Sequence, residues 1–232
     1  MSDVRSAVLL SIHHARERRP SPPAAASRAL AVAVAVLALL SACKEPRKPA
    51  PNPAVLRKAA AALTSAQTAW VGAEPAARKP LDPEVNAYRK ASLEAGLTPQ
   101  SGFDPAPIEA WHERVLAVHK QADAARSREA RERAVEALRS LAREQAPRGV
   151  TPEDAARLRH DLYLRCARLA YDLERFEDAA VIANQGLFIS ARDPMRVQLL
   201  IMLGQARRAT GDPSGEERVM LLARKDLGVA AK

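Results

Sequence analysis

Six times between residues 52 and 213, a residue suited to starting a helix is followed at once by proline: Asn52-Pro53, Asp82-Pro83, Asp104-Pro105, Thr151-Pro152, Asp193-Pro194 and Asp212-Pro213. A short polar side chain at the N-cap accepts a backbone N–H that has no partner inside the helix. Proline at the first helical position gives up no hydrogen bond. Thr151-Pro152-Glu153-Asp154 also approximates a capping box, with Asp154 in the acidic place. This punctuation divides the chain into short helices. The composition agrees, being 47% apolar but only 3% aromatic, with alanine prominent. Such a chain favours helices packed on small side chains over a core of large rings. Strand formers in period-2 alternation are scarce, and the expected fold is all-α.

One helix is expected from Pro53 to Val71, ended by Gly72, and a second from Pro83 to about Ala95, ended by Gly96. LTPQSGFDPAP reads as a loop. A third helix is expected from Pro105 to about Gln145, with an apolar seam of Ile108, Trp111, Val115, Val118, Ala122 and Ala125. The seam loses phase at RSREARER, Arg126 to Arg133, and resumes at Ala134, Leu138 and Leu141. A bend or exposed crossing is expected there, with Glu129 and Arg133 forming a favourable i, i+4 pair on a solvated face. His112 and His119 begin about 10 Å apart on one helix, too far to share a metal, and are expected at the surface. Cys166 lies in an apolar pattern and reads as a small core residue.

The N-terminal part has a different character. Ala29 to Leu40 reads ALAVAVAVLALL, preceded by Arg16, Arg18, Arg19 and Arg28, the layout of a secretory signal. A helix of that length spans about 18 Å, short of the roughly 30 Å hydrocarbon layer. Leu40-Ser41-Ala42-Cys43, at its end, resembles the lipobox of bacterial lipoproteins. The resemblance implies that residues 1–42 are removed and that the Cys43 sulfur carries a covalent lipid. Each buried methylene then holds the protein to the bilayer by about 0.8 kcal/mol. In that family an aspartate after the cysteine commonly retains the protein in the inner membrane. Here Lys44 stands in that place, so the resemblance points to the cell envelope and to the outer membrane in preference to the inner. Residues 43–52, rich in proline, read as an extended tether.

Near the C-terminus, Leu162 to Leu187 aligns with Leu199 to Leu227 at an offset of 37: Cys166-Ala167 falls on Leu203-Gly204, Glu174-Arg175 on Gly211-Asp212, and Gly186 on Ala223. Leu203-Gly204, Gly211-Asp212, Phe176, Ala179 and Ala183 stand where the tetratricopeptide repeat has its first-helix pair, its turn and its second-helix opening. Residues 150–228 therefore resemble a pair of such helical hairpins, with Pro213 and Glu216 departing from the pattern. Residues 53–146 form an N-terminal helical region. Its helices from Asp104 to Ala146 are expected to cover the first hairpin, with Trp111 and Leu116 in contact.

The formal charge is +9 overall and +6 from Cys43 onward, with 28 arginines against eight lysines. The arginine excess reads as the codon bias of a GC-rich genome. Acids interrupt the basic patch at Arg126 to Arg133, no aromatics lie beside it, and the export signal places the chain away from nucleic acid. No nucleophile–base pair, phosphate-binding glycine loop or metal-ligand spacing is evident, so neither an enzyme nor a metal or cofactor is expected beyond the lipid on Cys43. The repeat resemblance implies a protein–protein interaction adaptor. The first helix of each hairpin would supply Arg159, Tyr163, Arg168, Gln198, Arg207 and Arg208 to a partner, and their basic balance suits an acidic segment. The alternative is a binder of anionic envelope polymer, either lipopolysaccharide or an acidic glycan.

Overall fold

The computed structural model describes residues 53–189 and 193–229, all within one compact unit spanning 50–232. Cys43, the tether and the Asn52 cap lie outside the described residues. Those described are all-helical: α1 (Pro53–Gly72), α2 (Asp82–Glu94), α3 (Pro105–Ala124), α4 (Arg128–Arg143), α5 (Pro152–Asp172), α6 (Phe176–Leu187), α7 (Pro194–Ala209) and α8 (Pro213–Asp226), with a 3₁₀ turn at Pro75–Ala77.

Four of the proline-marked starts are built as the residue pattern requires. Asp104 accepts from the Ala106 N–H, Thr151 from Asp154, Asp193 from Met195 and Asp212 from Gly215, at 2.8–3.1 Å. Asp82 differs. Leu81 occupies that N-cap, and the Asp82 carboxylate reaches Arg168 on α5 instead. The third helix does not run on to Gln145, and the bend expected at its charged stretch is a full break. The helix breaks at residues 125–127, where Ala125 turns extended and Ser127 starts α4 by accepting the Ala130 N–H at 3.2 Å. The break allows Ala134, Val135, Leu138, Leu141 and Ala142 to be buried, a face that a straight continuation of α3 would turn aside.

Three hairpins result: α3–α4, α5–α6 and α7–α8, each joined by three residues. From α4 to α8 each helix packs along the next, and α5 also touches α7. The 37-residue offset is visible in the backbone. Glu174 and Gly211 both lie in the left-handed region, at φ 61° and 80°. The Arg175 N–H reaches Ala170 O and the Asp212 N–H reaches Arg207 O, both at 2.9 Å, closing the two helix ends alike. Small residues occupy the crossings: Ala167 and Gly204 on the first helices, Gly186 and Ala223 on the second, all buried. A Cβ on Gly186 would lie 2.7 Å from Leu199 Cδ1 and 2.9 Å from Tyr163 Cβ, so bulk there would drive the helices apart.

Arginines are part of the same scheme. Arg159 donates to Ala142 O at the end of α4, and Arg196, 37 residues on, donates to Leu187 O at the end of α6. Each satisfies a carbonyl that its own helix leaves without a partner. Cys166 is fully buried, its Sγ donating to Val135 O at 3.3 Å, and burial pushes the thiol up to about 12. It is a core residue, unreactive in this setting.

A residue with a Cβ in the left-handed region costs about 1 kcal/mol. Glu174→Gly is therefore expected to raise stability by about that amount and Gly211→Ala to lower it comparably. Urea unfolding of both variants beside the parent checks the pair of opposite signs.

Candidate functional site

The inner face of α5 and α7 is read from two congruent sets. On α5 these are Arg157, Asp161, Leu164, Arg168 and Tyr171; on α7 they are Pro194, Gln198, Ile201, Gln205 and Arg208. Their spacings of three and four put each set on one stripe of its helix. The antecedent pair α1–α2 forms an arm lying across the first part of this inner face. Gln67 on α1 donates to Pro194 O at 2.8 Å, and Arg89 on α2 donates to Asp161 at 2.8 Å. Arg157 is buried and fork-like. It donates to Ser92 O at 2.6 Å, to Ser92 Oγ at 2.5 Å, to Gly96 O at 3.3 Å and to Asp154 at 2.7 Å, capping the end of α2. Arg224 from α8 donates to Val71 O and does the same for α1.

Asp161 is the hub of this junction. It is 1% exposed, paired with Arg89 on one oxygen and 3.4 Å from His119 Nε2 on the other. His119 lies on α3 and is itself only 3% exposed, which corrects the expected surface position. Burial, and then the Arg89 and Arg165 guanidiniums, lower His119 to about 4 despite the Asp161 charge. The imidazole is therefore neutral near pH 7, with Nδ1 placed to accept from Arg165 at 3.4 Å. Arg165 also pairs with Asp123, which ties α3 to α5. A second buried histidine, His160, contacts Asp193 through Nδ1 at the start of α7. Burial, with Asp193 second, raises the Tyr88 phenol well above its ordinary range. These groups are enclosed, and the Asp161 and Asp193 carboxylates each face a histidine, with Arg89 also paired to Asp161.

Beyond the arm the inner face opens into a cleft of about 600 Å³. Leu164, Ile201 and Met202 contribute to its lining, Tyr171 and Trp70 add aromatic surface, and the α1–α2 connector supplies Arg78 and Lys79. Arg168 and Arg208 complete its cations, each beside one carboxylate: Arg168 at 2.5 Å from Asp82, Arg208 at 3.7 Å from Glu216. The Arg78 guanidinium lies 4.4 Å from the Trp70 ring centroid and stiffens the connector side. Among the described residues no carboxylate pairs with Lys79. Gln198 also borders the cleft; it is only 4% exposed, and its Nε2 has no hydrogen-bond partner.

Of the six residues expected to face a partner, Arg168, Gln198 and Arg208 border this cleft. The other three do not. Arg159 turns to the end of α4. Tyr163 is buried at the crossing with α6, against the space of the missing Gly186 Cβ. Arg207 points elsewhere, 3.5 Å from Asp212. These three sit one or two positions out of phase with the inner stripe. Stepping by three and four from Arg168 and Arg208 would have reached Tyr171 and Gln205. The connector residues Trp70, Arg78 and Lys79 carry no such signal in the sequence.

Among the described residues no group of three His, Cys, Asp or Glu side chains converges as metal ligands, and no helix is long and apolar enough to cross a membrane. Comparison of the chain with protein-family models, curated proteins and solved structures finds no match.

Because His119 falls from 6.5 to about 4 on folding, the unfolded chain takes up a proton between those values that the folded chain does not. Stability is therefore full above pH 6.5 and falls as the pH drops toward 4, by about 3 kcal/mol from this group. His119→Gln is expected to lose about 3 kcal/mol less than the parent between pH 7 and pH 4. Urea unfolding at the two pH values measures the difference.

Proposed function

We propose that the chain is a lipid-anchored cell-envelope adaptor, held in the membrane through Cys43 and binding a partner protein on the inner face of its helical hairpins. The observation that carries this reading is the open cleft, cation-bordered and partly apolar, where two helices in one 37-residue register stand side by side. Stacked hairpins with small residues at their crossings, as at Ala167, Gly186, Gly204 and Ala223, are how tetratricopeptide-like arrays are built, and such arrays bind peptides on the face of their first helices. Two repeats are fewer than an array needs to bury a continuous core, and the α3–α4 hairpin supplies the cover by packing α4 along α5. The chemistry of Leu40 to Cys43 supports the anchor, and Lys44 supports the outer membrane over the inner.

Two measurements test the proposal. Mass analysis of protein from its native cells is expected to show residues 1–42 removed and acyl chains on Cys43; a bare thiol with the leader retained would end the anchoring part. A photoreactive residue at Gln205, inside the cleft, is expected to give one defined protein adduct in intact cells. The same residue at Val181, on the outward side of α6, is expected to give none. Equal adducts from both positions, or none from Gln205, would count against the inner face as the binding surface.

A further inference from the structure

The inner face of α5 and α7 is covered at one end and bare at the other, and the bare end is rich in donors and poor in acceptors. Four cations border it, Arg78, Lys79, Arg168 and Arg208, against two carboxylates, Asp82 and Glu216. Arg168 and Arg208 are each occupied by one of those carboxylates. Lys79 is left over, exposed, on the connector rim. Gln198 is the second and independent sign. A carboxamide 4% exposed, with a donor nitrogen lacking any partner, is costly unless something arrives to accept from it.

The shape narrows the class of ligand. Gln198 and Gln205 stand two helical turns apart on α7, about 10 Å along the axis. That distance matches about three residues of extended chain, whose backbone offers the acceptors and donors a carboxamide needs. The apolar side chains Leu164, Ile201 and Met202 suit the small apolar contacts of a peptide, and Trp70, backed by Arg78, forms a firm side wall. A polymer of sulfate or phosphate groups would use the cations but leave the glutamines and the apolar lining without a role.

We propose that this cleft binds an extended acidic peptide segment of a partner protein, gripped between the α1–α2 connector and α7. Lys79 and Arg208 take its carboxylates, and Gln198 and Gln205 take its backbone. The site is completed by residues outside the hairpin array, so the arm is part of the binding surface. The assignment rests on the adaptor reading and adds to it the ligand's chemistry and the residues that hold it.

The test uses a fluorescein-labelled octapeptide of alternating glutamate and alanine, titrated by anisotropy with the full-length chain in detergent. Saturable one-to-one binding is expected, at least tenfold weaker for the counterpart with glutamine in place of glutamate. Lys79→Glu combined with Arg208→Gln is expected to weaken it at least tenfold. Gln198→Met, which keeps the buried volume, is expected to weaken it several-fold, with unchanged helical circular dichroism in both. Arg207→Glu, outside the cleft, is expected to change nothing. A loss in Lys79→Glu/Arg208→Gln no greater than in Arg207→Glu overturns the assignment, as does tighter binding of a sulfated oligosaccharide through the same two residues. Failure here with a Gln205 adduct still formed in cells removes the acidic-peptide chemistry and leaves the adaptor reading standing. Failure of both removes both.

Discussion

The last carbonyls of a helix have no partner within it, and in this chain arginines from other helices supply one to each of four ends. Arg224 caps α1, Arg157 caps α2, Arg159 caps α4 and Arg196 caps α6. A planar guanidinium can serve several acceptors at once, as Arg157 does with Ser92, Gly96 and Asp154. The mutual placement of short helices is thereby fixed at their ends, where a core poor in large rings would fix it least. An arginine excess that reads as genome composition thus does specific structural work, whatever its origin.

Two kinds of contact divide the labour. Between successive hairpin helices the contact is close and apolar, set by alanine and glycine at the crossings and by buried leucines such as Leu158, Leu162 and Leu199. Between the arm and the array it is largely polar, with Gln67, Arg89 and Ser92 meeting Pro194, Asp161 and Arg157. Buried polar contacts of this kind specify position strongly, because any shift strands a desolvated charge. The arm therefore covers one end of the inner face in a defined place and leaves the other end as the cleft.

Much of this was legible in the residues. The N-cap and proline pairs gave the starts of α3, α5, α7 and α8, since capping is a local effect that needs no tertiary partner. The 37-residue offset found the matching turns at Glu174 and Gly211 for the same reason. Where a long-range partner decides, local signals misled. Asp82 looks like a cap but is taken by Arg168, and His119 looks like a surface residue but is enclosed by Asp161, Arg89 and Arg165. Arg159, Tyr163 and Arg207 were expected on the binding face because they belong to first helices. The inner stripe runs through Arg157, Asp161, Leu164, Arg168 and Tyr171, and nothing in the chain announces that phase until α2 is seen lying against it.

The docking of the arm through its buried charge pair is the claim on which both the covered face and the open cleft depend. A double-mutant cycle on Arg89 and Asp161, read by urea unfolding, tests it most directly. With Arg89→Met and Asp161→Leu, each single change strands a buried partner and is expected to cost about 3–5 kcal/mol. The double variant is then expected to fall short of their sum by about 2 kcal/mol or more. Additivity within about 0.5 kcal/mol would mean the two side chains do not meet, and that the arm does not rest on this face.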